Sequence, residues 1–135
     1  MFHVDSLAGV VYRRSYDPRT GAVGPRSVHV RVTGGLPDGI AMDADDHLWV
    51  AVWGAGQVRR HDPRGVVVGH VQLPVPHVTS VAFAGADLCE MVVTTARNEL
   101  TAHEREAHPN AGALFHCRVD TPGHPVPAWR PGAQR

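Results

Sequence analysis

Short apolar stretches separated by turns that contain Gly or Pro run along most of the chain. Residues 48–53 read Leu-Trp-Val-Ala-Val-Trp, and residues 91–95 read Met-Val-Val-Thr-Thr. The 14 Gly and 11 Pro are scattered between such stretches and are not pooled in one linker. Apolar residues do not recur with the 3.6-residue period of an amphipathic helix. The pattern therefore predicts an all-β protein built from many short strands.

The same turn occurs twice at a regular distance. Residues 17–21 read Asp-Pro-Arg-Thr-Gly, and residues 62–65 read Asp-Pro-Arg-Gly, so the two Asp residues are 45 positions apart. Pro presets the backbone angle of such a turn, Asp bonds the turn's own backbone, and Gly accepts a positive φ. A looser third copy begins at Met91, 43 positions after Leu48. A period of this size built from strands is typical of a β-propeller blade.

The repeat predicts a partial six-bladed β-propeller with about three blades of four-stranded antiparallel sheets. A chain of 135 residues is too short for the smallest usual propeller ring, which has about four blades. The alternative is a small antiparallel sandwich whose hairpins resemble one another, but the matched turns favour blades. Residues 97–107, rich in Glu, His and Ala, interrupt the third copy. We expect them to form an insertion with a helical turn or two over one end of the sheets.

Composition excludes several classes of function. The 13 basic and 13 acidic residues give a net charge of zero, so we expect neither a nucleic-acid partner nor binding to a membrane. No apolar run is long enough to cross a bilayer, and the N-terminus lacks the layout of a signal peptide. Cys89 and Cys117 are isolated, which argues against a disulfide framework and a thiolate metal site. A soluble cytoplasmic protein is the expectation.

Most other polar residues have simple structural interpretations. The ten His residues lack the paired spacing of a zinc-binding helix, and most are expected on the surface. Asp17, Asp43 and Asp62 are expected to form turns, and alternation places Trp49 in the core. The sequence contains neither a Gly-rich phosphate loop nor a Ser nucleophile elbow.

Four motifs together resemble a known family. They are Leu-Pro-Asp-Gly-Ile-Ala-Met-Asp at 36–43, Leu-Trp-Val-Ala at 48–51, Thr-Ser-x-x-Phe at 79–83 and Ala-Gly-x-Leu-Phe at 111–115. In this order they resemble the C-terminal half of the senescence marker protein/regucalcin/gluconolactonase (SMP-30/gluconolactonase/LRE-like) family. The resemblance covers residues 1–130, and residues 131–135 are expected to be a disordered tail.

The resemblance implies a six-bladed propeller with one divalent metal ion at the top of its central channel. Calcium is the expected ion, with zinc, magnesium and manganese as alternatives. The family holds the metal with a Glu, an Asn and the Asp of the Pro-Asp-Gly motif, and only the last matches this chain, at Asp38. Residues 1–6 resemble the middle of a blade, so we expect a truncated reading frame or one half of a split gene.

The implied activity is hydrolysis of a sugar lactone, with Asp38 as metal ligand and catalytic base. The alternative for Asp38 is a turn residue, since Pro-Asp-Gly turns are common in β proteins. Asp5 and Ser6, at the end of the first strand, and Trp53, at the channel mouth, are candidate substrate-binding residues. The alternatives are a polar strand end for the first two and blade packing for Trp53.

One carboxylate cannot by itself hold a calcium ion that takes six to eight oxygen ligands. We therefore expect the chain to be inactive alone and its metal site to be completed by another chain, such as an N-terminal half-propeller. The alternative function is a non-catalytic propeller fragment that self-associates, with two copies closing a ring, or that binds a partner chain. Bare blade faces and unpaired strand edges make a soluble monomer unexpected.

Overall fold

The computed structural model describes residues 1–126, in which nearly all regular structure is β-strand. The strands are β1 (Phe2–Asp5), β2 (Val10–Arg13), β3 (Ser27–Arg31), β4 (Leu36–Met42), β5 (Leu48–Trp53), β6 (Gln57–His61), β7 (Val67–Gln72), β8 (Val78–Ala84), β9 (Glu90–Thr95) and β10 (Leu114–Arg118). One short helix, α1 (Ala102–Ala107), lies between β9 and β10. The predicted all-β class is confirmed.

The strands form three antiparallel sheets. The first sheet has the order β1-β2-β3, the middle sheet β4-β5-β6-β7 and the last sheet β10-β9-β8. The prediction of four strands in every sheet is therefore correct for the middle sheet, whereas residues 1–126 supply three strands to each of the others. The repeat aligns β1 and β9 with β5. In the described residues, the first sheet thus lacks a counterpart of β4 and the last sheet a counterpart of β7.

Strand β5 is buried on both faces because the middle sheet packs between the other two. Leu48, Val50 and Val52 belong to one apolar cluster with residues of the first sheet. Trp49 and Ala51 belong to a second cluster with residues of the last sheet. Successive side chains of a strand point to opposite faces, so a strand enclosed on both sides reads as a continuous apolar run. The predicted core position of Trp49 is confirmed.

The repeated turns form as their residues predict. Asp62 Oδ1 accepts hydrogen bonds of 2.9 Å from the backbone N–H groups of Arg64 and Val66. Asp17 Oδ1 accepts one of 2.9 Å from the Arg19 N–H in the equivalent turn. Gly65 has a φ of 87° and lies so close to the first sheet that a Cβ there would overlap a backbone oxygen. The turn therefore requires Gly both for its backbone angle and for space.

The predicted helical insertion is confirmed by α1. Thr101 caps the helix by accepting a hydrogen bond from the Glu104 backbone N–H, and the Glu104 side chain accepts one from the Thr101 N–H. This reciprocal arrangement is a capping box, which satisfies backbone donors at the start of the helix. After the helix, His108 Nδ1 lies 3.2 Å from the Pro74 carbonyl oxygen. The insertion is thereby held against the middle sheet.

Backbone hydrogen bonds hold the segment after β10 to other parts of the fold. The Pro122 carbonyl accepts a 2.8 Å hydrogen bond from Ala44 N–H, and Gly123 N–H donates one of 2.9 Å to the Leu88 carbonyl. These bonds tie the segment to the middle and last sheets. The predicted disordered tail, 131–135, and the end of the predicted propeller region at 130 lie outside the described residues. Within residues 1–126, no helix has the length and apolar character needed to span a bilayer.

Candidate functional site

The predicted site residues lie at one end of the sheets, which we call the upper end. Strand β4 begins there, since Leu36 pairs with Trp53 at the end of β5. Trp53 forms a further bridge with His77, just before β8. The turn between β1 and β2 lies at the same end, because Gly9 accepts a hydrogen bond from Val32 N–H shortly before β4. The topology therefore brings the start of β4 and the predicted substrate residues to a common end.

Asp38 lies near the start of β4 and is half-buried. Burial raises the pKa of its carboxyl above the ordinary value, and a hydrogen bond from the Gly39 backbone opposes that shift. Within residues 1–126, no side chain donates a hydrogen bond to this carboxylate and no cation pairs with it. A partly desolvated carboxylate without a counter-charge destabilises the fold. The same carboxylate is suited to act as an oxygen ligand for a hard cation.

Gly39 follows Asp38 because two strands approach closely at this point. A Cβ on Gly39 would overlap Ser80 Oγ and lie 2.6 Å from Ser80 Cα on β8. The pairing of β4 with β5 is also irregular between Pro37 and Ile40. Such an irregularity changes the direction of nearby side chains. The Pro-Asp-Gly sequence thus combines a redirected strand with a glycine that lets the last sheet pack against it.

Trp53 lies beside an aromatic partner that sequence reasoning missed. The indole of Trp53 and the imidazole of His77 stack with centroids 4.0 Å apart and planes 10° apart. His77 Nδ1 lies 3.1 Å from the Asn98 carbonyl oxygen in the inserted segment. No spacing rule links two residues 24 positions apart in different sheets. The substrate-binding role of Trp53 stays a prediction.

Asp5 and Ser6 shape the turn between β1 and β2. Asp5 Oδ1 accepts a 3.1 Å hydrogen bond from the Ala8 N–H, and the Ser6 carbonyl accepts one of 3.0 Å from the Gly9 N–H. In the described part of the chain, no hydrogen bond joins either residue to the carboxylate on β4. Their role in substrate binding likewise stays a prediction.

A second group of metal-ligating residues lies at the opposite, lower end. One ligand atom each from Asp43, Asp45 and His47 lies within 4.8 Å of the others. Asp43 is fully buried, and its Oδ2 accepts hydrogen bonds from Trp49 Nε1 at 2.8 Å and Arg60 Nε at 2.7 Å. Its Oδ1 accepts bonds from the backbone N–H groups of Asp45 and His47.

The lower cluster is already neutralised by an arginine. Burial acts to raise the pKa of Asp43, but the hydrogen bonds from Arg60, Trp49 and His47 together hold it below its ordinary value. A cation entering here would compete with the Arg60 guanidinium. Asp38 is five residues away along β4, which corresponds to roughly 16 Å at the rise of a strand. The upper carboxylate and the lower cluster therefore cannot bind the same ion.

Comparisons with known proteins agree with the fold. The family described as SMP-30/Gluconolactonase/LRE-like region matches residues 1–97. Pentonolactonase XacC of Haloferax volcanii is 39% identical over 130 residues, and regucalcin of Gallus gallus is 38% identical over 117 residues. The matches cover 92% and 84% of this chain, but 45% and 39% of the two relatives.

The likeness extends to solved structures. The crystal structure of regucalcin from Agrobacterium tumefaciens, a calcium-binding protein, superimposes with a TM-score of 0.89 at 33% identity. The superposition covers 96% of this chain and 45% of that one. The chain thus spans less than half the length of these relatives.

Proposed function

The chain belongs to the SMP-30/gluconolactonase/LRE-like family, and on this premise we propose that it is part of a metal-dependent sugar-lactone hydrolase. In this proposal its three sheets are half of a six-bladed ring, and the ion is calcium. Support comes from the pentonolactonase and the calcium-binding regucalcin to which it is similar. The observation that carries the proposal is the half-buried, unpaired carboxylate of Asp38 at the upper end.

Asp38 fits one position in the coordination shell of a hard cation. It offers an anionic oxygen, and burial raises the pKa of its carboxyl, so a cation beside it would favour the ionised form. Calcium takes about six to eight oxygens, so most ligands have to come from elsewhere, and we propose a second polypeptide such as an N-terminal half. With Asp38 as one ligand, a divalent cation would supply Lewis acidity for the attack of water on the lactone carbonyl.

The remaining residues of the upper end are proposed to bind the substrate. Trp53 and His77 present stacked rings against which the C–H groups of a sugar can pack. Asp5 and Ser6, in the β1–β2 turn, provide hydrogen-bonding groups for sugar hydroxyls. Asp38 is also proposed as the base that accepts a proton from the attacking water, since burial moves its pKa toward neutral pH.

The second candidate function is a non-catalytic propeller fragment that binds a partner chain. Among residues 1–126, no group of three His, Cys, Asp or Glu residues that could hold a metal includes Asp38. The chain alone is therefore proposed to be inactive. If the activity was lost during evolution, completing the ring would restore the fold without restoring metal binding.

A chimera separates the two functions. The part of Agrobacterium tumefaciens regucalcin that this chain matches is replaced by residues 1–135, so that the ring is complete. Calcium affinity is measured by titration calorimetry, and hydrolysis of an aldonolactone is measured by acid release. We expect the chimera to bind calcium and hydrolyse the lactone, and the chain alone to do neither.

Asp38→Asn in the chimera is the decisive variant, with Asp46→Asn as its matched control. Asp46 lies in the lower turn with a φ of 60°, a conformation that Asn adopts readily. Asp38→Asn is expected to reduce both affinity and activity by about a hundredfold or more, because it removes a charged ligand. Retention of both by Asp38→Asn would refute the assigned site, and a folded chimera lacking both would favour the non-catalytic function.

A further inference from the structure

We propose that two copies of this chain associate head to tail, the outer face of the first sheet in one copy contacting the outer face of the last sheet in the other. The outer faces are those turned away from the middle sheet. The inference does not rest on the proposed function. It concerns the chain without an N-terminal half-propeller, whose place on the two faces the second copy takes.

The outer face of the first sheet follows from its strand register. Val4, Val11 and Val30 are paired across β1, β2 and β3 and pack against the middle sheet. The alternate set therefore points outward: His3, Tyr12 and Val28 are paired across the same strands. His3 stacks on Tyr12 at 5.1 Å, and Val28 is 43% exposed. The face has an aromatic and aliphatic centre.

The outer face of the last sheet is defined in the same way. Val81, Val93 and Phe115 are paired and pack against the middle sheet. The alternate set points outward and comprises Thr94 and Leu114 in one cross-strand row and Ala82, Val92 and His116 in the next. Leu114 is 71% exposed. This face also has an apolar centre that nothing in residues 1–126 covers.

The first and last sheets lie in segments of opposite net charge, although the whole chain is neutral. Residues 1–35 contain five Arg and two Asp, for a net charge of +3, and residues 77–124 contain three Arg and six acidic residues, for a net charge of −3. On the first face, Arg26 lies 4.6 Å above the Tyr12 ring and Arg31 pairs with Val10 in the row that also contains Asp5. Such an asymmetry favours contact between unlike ends of two molecules.

The acidic residues of the last sheet lie on or beside its outer face. Glu90 is paired with Arg118 across β9 and β10 in the outward row, and Asp87 bonds Arg118 at 2.6 Å. Arg118 thus lies beside two carboxylates, and Glu90 Oε2 also lies 3.0 Å from His116 Nε2. The face therefore has one carboxylate more than it has arginines, which the arginines of the first sheet can neutralise.

The bare strand edges lie next to these faces. In the described residues, β1 and β10 each have one edge without a partner strand, whereas their counterparts β5 and β6 are paired on both sides. Unpaired edges of this kind tend to associate with other chains. In a pair with two-fold symmetry, the first-sheet face of each copy contacts the last-sheet face of the other, so the same contact forms twice. Both faces of each copy are then covered.

Sedimentation tests the proposal. The chain of 14.6 kDa is expected to sediment at about twice that mass at low ionic strength and to dissociate as salt is added, because salt screens charges exposed at an interface. A wild-type chain that stays monomeric across the concentration range, or that forms open polymers, would overturn the closed pair.

Two double variants identify the faces. Arg26→Glu with Arg31→Glu makes the first face acidic, and Glu90→Lys with Asp87→Lys makes the last face basic. Each variant alone is expected to dimerise at least about tenfold more weakly, because its two faces then carry like charge. Mixed in equal amounts they are expected to regain the dimer, since both contacts of the mixed pair again join unlike charges.

Recovery on mixing excludes misfolding as the cause, because two unfolded variants would not restore each other. Arg19→Glu with Arg97→Glu is the matched control: it makes the same change in net charge in exposed loop residues outside the two faces. This control is expected to remain dimeric. Failure of the mixture to recover, or equal weakening by the control, would overturn the assignment of the faces.

Discussion

The indole Nε1 of Trp49 donates a hydrogen bond of 2.8 Å to Oδ2 of Asp43, and both residues are buried at the lower end of the middle sheet. Arg60 Nε donates to the same oxygen at 2.7 Å, and another guanidinium nitrogen lies 3.2 Å from Thr121 Oγ1. A buried carboxylate is stable only when its lone pairs are satisfied. This network therefore joins three strands of the middle sheet to the segment that follows β10.

Removing the arginine from this network should be strongly destabilising. Arg60→Met leaves the buried Asp43 without its ion pair, and we expect a loss of about 2–4 kcal/mol of unfolding free energy. Arg64→Met is the control, because Arg64 pairs with Asp62 while 84% exposed, and such pairs contribute less than about 1 kcal/mol. Urea unfolding measures both. Similar losses in the two variants would show that the network has no special role.

The close approach of β4 and β8 predicts a contrast between two glycines. Gly39→Ala places a methyl group against Ser80 and should cost about 1–3 kcal/mol through overpacking. Gly69→Ala, in β7, meets no atom within 4 Å and should be neutral or stabilising by up to about 1 kcal/mol. Thermal unfolding of the two variants compares them directly. Equal melting temperatures would mean that the sheets separate easily at this point.

Asp38 should reduce stability in the absence of metal. Its pKa is raised in the folded state, so its favourable contribution is present below its ordinary value of 3.8 and is lost as pH rises through the folded value. Asp38→Asn should therefore raise the melting temperature at pH 7, by about a degree or two, and lose this advantage near pH 3. A lower melting temperature for this variant at pH 7 would contradict an unpaired carboxylate.

Two histidines between the first and middle sheets should make the fold sensitive to acid. Burial lowers the pKa of His61 below its ordinary value of 6.5. Backbone hydrogen bonds with Leu48 and Arg59 oppose this shift, and the charges of Arg59 and His29 add to it. Burial and Arg13 likewise lower the pKa of His29, against the opposing charge of Asp62. His61 Nδ1 is buried without a hydrogen-bond partner. Protonation would therefore place a charged donor in an apolar interface.

A lowered histidine pKa means that the unfolded chain binds more protons than the folded one. The contribution of neutral His61 to the free energy of unfolding is then fully present above about pH 6.5. It is lost as pH falls toward the pKa that His61 has in the folded state. We expect the urea midpoint to decrease between pH 7 and pH 5, and His61→Phe to have a flatter profile. His103, exposed on α1, provides the control His103→Phe, whose profile should match the wild type. An unchanged slope in His61→Phe would exclude His61 as the cause.

Local features were predictable because they depend on neighbouring residues. The Asp-Pro turns, the capped helix after residue 97 and the strand class all follow from bonds within a few positions. Asp38 was predicted as a metal ligand from its motif of contiguous residues, and that role stays a prediction. His77 beside Trp53 and Arg60 beside Asp43 could not be predicted, because each contact joins residues brought together only by sheet packing and strand register.

The sequence by itself determined that the chain forms strands in repeated units, and its family resemblance predicted Asp38 as a metal ligand. Tertiary structure decided which side of each strand is enclosed, because burial depends on what packs against both faces of a sheet. It also decided how the charged residues are distributed over the surface. A net charge of zero argued only against nucleic-acid and membrane partners. The arrangement of sheets separates a basic face from an acidic one, since the first and last sheets lie on opposite sides of the middle sheet.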